Sequence, residues 1–251
     1  MRGIVYLVPK LKAYYSRLAI KLKEEPLDQL FIPLPRGLEE EVVYLILAGK
    51  FDEIYDLILD ELRLEEVYRK SFTFIEPLFY VLREISLMRD LEMYFYLDPR
   101  EERRRIRSIT KILSLVVKAR AFNEIRVEEW IKVLKQTSFG VGNKVNYIAE
   151  KAKGRFAVIA SVGEGRIVNL LKMQGLEVRL KYIAPYVFTP LEVLYRVVHR
   201  CPKHEYVEKL VKEYIEYLDY VYLSNDFEEA YFKWVRSKKN YPYTLVHKLS
   251  L

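Results

Sequence analysis

A chain of 251 residues, 51% hydrophobic and 31% charged, can bury a substantial core, which excludes a disordered protein. No apolar run approaches the ~20 residues that cross a bilayer, and the N-terminus lacks a signal-peptide pattern, so a cytoplasmic location without a membrane span is expected. The single cysteine, Cys201, excludes an internal disulfide and any cysteine-cluster metal site. Many Glu, Lys and Arg and 21 tyrosines suit a heat-adapted protein, and the net charge of +7 admits a polyanionic partner, nucleic acid included.

Taken in order, Ile4 to Val8 is a short apolar run that reads as a strand, ended by Pro9. Leu11 to Leu22 repeats apolar residues at helical spacing, and Pro26 closes that helix. Leu30 to Leu34 is the next strand; Pro33 inside it cannot donate to a ladder and is expected at the strand's end or beside a sheet edge. After Arg36-Gly37 comes a helix over Leu38 to Ala48, with Glu39, Glu40 and Glu41 in the first turn, where carboxylates favour the helix dipole. Helices come next over Phe51 to Val67 and Ile75 to Met88, then a strand over Leu91 to Leu97 stopped by Asp98-Pro99. Arg100 to Phe122 and Val127 to Gln136 read as helices, and Ser138 to Gly142 as a turn.

Asn143 to Leu180 is the most informative stretch. A helix leads to Gly154, Phe156 to Ala160 forms a strand apolar on both faces, and Ile167 to Met173 recurs at helical spacing. Gly175 ends that helix, and Leu176 to Leu180 alternates as a strand. A strand–helix–strand unit of this kind demands parallel pairing. Beyond a partly extended Lys181 to Phe188, Thr189-Pro190 opens a helix over Leu191 to Arg200, and Pro202 breaks it. An amphipathic helix runs from His204 to about Leu223, and Ser224-Asn225 starts the last one, Phe227 to Val235. Leu245 to His247 could add an edge strand.

The expected fold is therefore α/β, one domain over 1–251, with a mainly parallel sheet and helices on both faces. Helices are inserted at about 51–90 and 100–150, and the C-terminal part, about 189–237, is helical. In open parallel sheets, ligands bind at the carboxyl ends of the strands. That rule gathers Lys10, Arg36, Asp98, Arg100, Gly163 and Arg166 as candidate ligand-binding residues, with Glu39 and Glu164 as candidate catalytic carboxylates. Arg100, Arg103, Arg104 and Arg107 share one helical face at the end where cations oppose the dipole, which invites either an anionic ligand or pairing with Glu101 and Glu102.

Several chemistries are excluded. His199, His204 and His247 follow no strand and lack zinc-site spacing; no G-x-S-x-G elbow exists. Gly163-Glu164-Gly165 is neither a P-loop nor a dinucleotide fingerprint, although small residues at a helix N-terminus can hold an anion that Glu164 would oppose. Asp98, Glu39 and Glu164 could together take magnesium or manganese, yet nothing in the spacing requires a metal, and no cofactor is specified.

The central stretch resembles the last strand–helix unit of the TraB/ChaN/erythromycin-esterase-like superfamily. Asn146-Tyr147-Ile148-Ala149-Glu150 sits on its helix, Phe156 to Ala160 is its strand, and Ser161-Val162-Gly163-Glu164 occupies the place of a G-x-x-H motif. The resemblance implies histidines and a glutamate at the strand ends of its hydrolases and metalloproteases. Here Glu164 stands for the second G-x-x-H histidine, Val8-Pro9-Lys10-Leu11 replaces the first, and Lys144 stands where arginine is common. Glu39 or Glu40 takes the acidic position after the second strand. Without imidazole the family's chemistry is expected to be lost or altered. The expected function is thus a ligand-binding or regulatory protein with a degenerate site for an anionic small molecule. The alternatives are a nucleic-acid or nucleotide-binding module and a carboxylate- and metal-dependent hydrolase.

Overall fold

Five short segments, most of them largely buried, set the architecture. In the computed structural model, which describes residues 2–136, 142–200 and 202–238, they form β1 (Arg2–Val8), β2 (Gln29–Pro35), β3 (Glu92–Leu97), β4 (Arg155–Ser161) and β5 (Glu177–Tyr182). All pair in parallel, in the order β3-β2-β4-β1-β5. The central strand β4 is buried from Phe156 to Ala160, as a strand covered on both sides must be. The edge strand β5 buries only Val178 fully, because half its surface meets water.

The helices fall into two layers on the sheet. The chain steps one way across it from β1 to β2 to β3, through α1 (Lys12–Glu24), α2 (Glu39–Ala48), α3 (Phe51–Leu62) and α4 (Glu76–Met88), and these pack on one another. It steps back from β3 to β4 to β5, and α7 (Gly142–Lys151) packs on α8 (Arg166–Met173). Right-handed crossovers taken in opposite directions put the two groups on opposite faces. The fold is α/β, with a wholly parallel sheet.

By contacts the chain divides into two compact units, Met1–Arg103 with Gly140–Ala184, and Arg104–Phe139 with Pro185–Leu251. The first holds the sheet. The second is helical, with α6 (Val127–Gln136), α9 (Pro190–Val197), α10 (His204–Tyr222) and α11 (Phe227–Ser237) packed around Trp130, Leu194, Val211 and Trp234. Helix α5 (Pro99–Phe122) begins in the first unit and carries the chain into the second.

Three local expectations are revised. Helix α3 stops at Leu62, because Arg63 adopts a left-handed conformation (φ 49°) that caps it, and Glu66–Ser71 then forms a 3-10 turn. Helix α11 is capped by Asp226, whose carboxylate accepts from the Glu229 N–H at 2.8 Å, rather than by Ser224 or Asn225. Strand β2 is interior, and Pro33 sits where its ladders fail: pairing with β4 ends at Phe31, and the register with β3 shifts between Ile32 and Pro35. Thr189 does cap α9 with Pro190 at its first position, and Gly175 ends α8 at φ 82°. The turn at 138–141, Cys201, His247 and the strand expected at 245–247 lie outside the described residues.

Candidate functional site

The carboxyl rim is built by the turns and helix starts that leave each strand end. After β4, a single 3-10 turn (Val162–Glu164) returns the Glu164 side chain toward its own strand end. There Oε2 accepts from the Ser161 N–H at 3.1 Å, while Oε1 pairs with Nζ of Lys144 on α7. The two side chains are only 14% and 21% exposed, Lys144 the lower. Burial pushes the Glu164 pKa up, but the Lys144 ammonium, the Ser161 N–H and the charge of Lys10 outweigh it, so the carboxyl is held below its usual range. Lys10 comes just after β1 and lies over the Phe74 ring at 5.6 Å. Beneath this group, burial and then the Glu164 charge push the hydroxyls of Tyr15 and Tyr96 up, which keeps both protonated. Tyr96 donates to the Ile159 carbonyl at 2.6 Å.

A second neighbourhood forms at the ends of β2 and β3. Arg36 pairs with Asp98 at 3.4 Å and lies over the Tyr147 ring of α7 at 4.8 Å. Glu39 spends both oxygens on backbone: Oε2 accepts from Gly37 N–H at 2.8 Å and Oε1 from Phe95 N–H at 3.2 Å. Asp98 caps α5, accepting from the N–H groups of Arg100 (2.8 Å) and Glu101 (3.1 Å). Burial and the nearby Glu39 raise the Tyr147 pKa, with Arg36 opposing.

The candidates thus fall into two groups, Lys10 with Glu164, and Arg36 with Glu39 and Asp98. Arg100 touches the second group through its backbone, and Arg100, Gly163 and Arg166 are all exposed. A side chain added at Gly163 would meet no atom within 4 Å, so the rim is open there. Of the arginine cluster, Arg103 turns away to donate to the Leu62 (3.0 Å) and Glu61 (2.9 Å) carbonyls that end α3. Tyr15, Tyr96 and Tyr147 are members that the sequence does not single out as site residues. For Tyr147 a signal exists, since it lies three residues beyond Lys144 and so shares its helical face.

Among the described residues no three or more His, Cys, Asp or Glu side chains group so as to hold a metal ion, so Asp98, Glu39 and Glu164 do not assemble as a set. A groove of about 610 Å³ lies elsewhere, between α2 and α3, bordered by Glu40, Glu41, Glu53 and Asp56 around Tyr44. Its lining includes no basic side chain and no strand end. No described helix is long and apolar enough to cross a membrane. No family model, no curated protein and no solved structure matches the chain.

Proposed function

We propose that this chain is a ligand-binding or regulatory protein of TraB/ChaN-like type whose degenerate site holds a small anion at the carboxyl rim, beside Lys10, Lys144 and Arg166. The state of Glu164 carries the reading. A general base working near neutral pH needs a raised pKa and a free oxygen. Glu164 has a lowered pKa, with one oxygen on Lys144 and the other on Ser161. Such a carboxylate organises lysines instead of taking protons. The ammonium groups of Lys10 and Lys144 both act on Glu164, and the space around Gly163 is open to a ligand.

Thermal unfolding in inorganic phosphate or citrate tests this, because a ligand that prefers the native state raises the midpoint. The wild-type midpoint is expected to rise with anion concentration, and the rise to vanish in Lys10→Ser/Arg166→Ser, whose side chains are exposed. No rise in the wild type, or an equal rise in the double variant, overturns the reading. A DNA duplex forms the second arm. Binding to it that weakens steeply with salt would favour the nucleic-acid alternative, for which α5 speaks: Arg103 to Phe122 carries seven Lys or Arg and no acid.

A further inference from the structure

The sheet-bearing unit carries a feature that the rim does not use. From Glu39 to Leu62, through α2 and α3, the sequence holds eight acids and one lysine, inside a chain whose net charge is +7. This reversal of sign coincides with the groove of about 610 Å³ between the two helices. Glu40, Glu41 and Tyr44 line it from α2, Glu53 and Asp56 from α3, and Leu45 and Leu57 add apolar surface. The carboxylates are not equally available. Lys50 pairs with Glu53 at 2.8 Å, and Arg69 pairs with both Asp56 and Glu66. Glu40 and Glu41 are exposed and have no ion-pair or hydrogen-bond partner among the described residues.

An aromatic ring stands with them. Tyr44 follows Glu40 by four residues and so lies on the same side of α2. It is 67% exposed, and among the described residues no other ring packs on it and no cation lies over it. An uncovered aromatic face beside two unpaired carboxylates suits an arginine or lysine, since the ring attracts the cation and the carboxylates accept its N–H groups. A divalent metal fits less well. Among the described residues no three acids gather closely enough to hold one, because the carboxylates are strung along two helices. Charges strung along a chain match that spacing. A free polyamine is a slender thread that an open groove of this size would cover on one side only, whereas a peptide fills it with backbone and side chains.

We propose that the groove between α2 and α3 docks an arginine- or lysine-bearing segment of a partner protein, with its basic side chains on Tyr44, Glu40 and Glu41 and its apolar ones against Leu45 and Leu57. Fluorescence anisotropy on the full chain, with a short labelled peptide that alternates arginine and leucine, decides. The wild type is expected to bind the peptide. Glu40→Gln/Glu41→Gln is expected to bind about tenfold more weakly, and Tyr44→Ser, which leaves every charge in place, about threefold more weakly. Asp90→Asn/Glu205→Gln removes two exposed acids elsewhere and is expected to bind as the wild type does. Glu40 and Glu41 also favour the dipole of α2, so unfolding midpoints are recorded for each variant; Tyr44→Ser leaves that first turn intact and keeps the test decisive if the double variant is destabilised. Four results overturn the proposal. They are no binding by the wild type, an equal loss in Asp90→Asn/Glu205→Gln, which would mean general charge attraction, and a Tyr44→Ser variant that binds like the wild type. The fourth is a wild type that self-associates and is dissociated by Glu40→Gln/Glu41→Gln, which would give the groove to a second copy.

Discussion

Single ionisable side chains decide two properties of the fold, with opposite sign. Glu164 has a folded pKa below its unfolded one, so its ion pair contributes fully above the unfolded value and is lost as pH falls through the lowered one. In Lys144→Met the carboxylate keeps its burial and loses its counter-charge. We expect a loss of about 2 kcal/mol near neutral pH, less than for a fully buried pair, and a Glu164 contribution on acidification that changes sign. Chemical denaturation across a pH series reads both. Glu192 in the helical unit behaves in reverse. Burial raises its pKa although Tyr186 donates to it at 2.7 Å and Thr189 N–H at 2.8 Å. Its contribution is full below the unfolded value and is lost as pH rises through the raised one. Glu192→Gln, which keeps an acceptor for both donors, is expected to remove that loss and leave the protein as stable or more so at neutral pH. A midpoint that falls in the variant at neutral pH contradicts this assignment.

At the scale of elements, the strands were legible and several helix ends were not. Runs such as Phe156 to Ala160 announce themselves because a strand covered on both faces has no polar side. The end of α3 did not, because a non-glycine residue, Arg63, takes the left-handed position and the apolar spacing runs on past it. Glu39 reads along the chain as a dipole partner, whereas it bonds the Phe95 N–H of β3 and so ties α2 to a strand 56 residues away. Long-range bonds of that kind leave no local pattern. Close approach is likewise invisible along the chain. A methyl group at Gly3 of β1 would lie 2.3 Å from the Phe156 ring of β4, in the centre of the core. Gly3→Ala is therefore expected to cost about 1–3 kcal/mol through overpacking. Gly163→Ala, with open space around it, should stay within about 0.5 kcal/mol of the wild type. Paired denaturation curves compare the two, and equal losses would show that the sheet accommodates the methyl group.

Across the whole molecule, the parallel sheet and its helical C-terminal part follow from the alternation of strand and helix periods. The candidate site was legible only as a set of strand-end residues. Their sorting into two neighbourhoods depends on β4 lying between β2 and β1, an order that the sequence does not encode locally. The grouping of Arg104–Phe139 with Pro185–Leu251 was hidden for a similar reason, since the stretch between them folds with the sheet.

The break at Pro33 has a bearing on that rim. Once β2 releases β4 beyond Phe31, two ladders remain, β3 with β2 and β4 with β1 and β5, stitched together at the amino end and parted at the other. Tyr96 spans the parting by bonding the Ile159 carbonyl, so one phenol latches the two halves of the sheet just below Glu164. The amino ends are held by strand pairing and the other ends by that phenol, so the two halves are joined by a backbone ladder on one side and a side chain on the other.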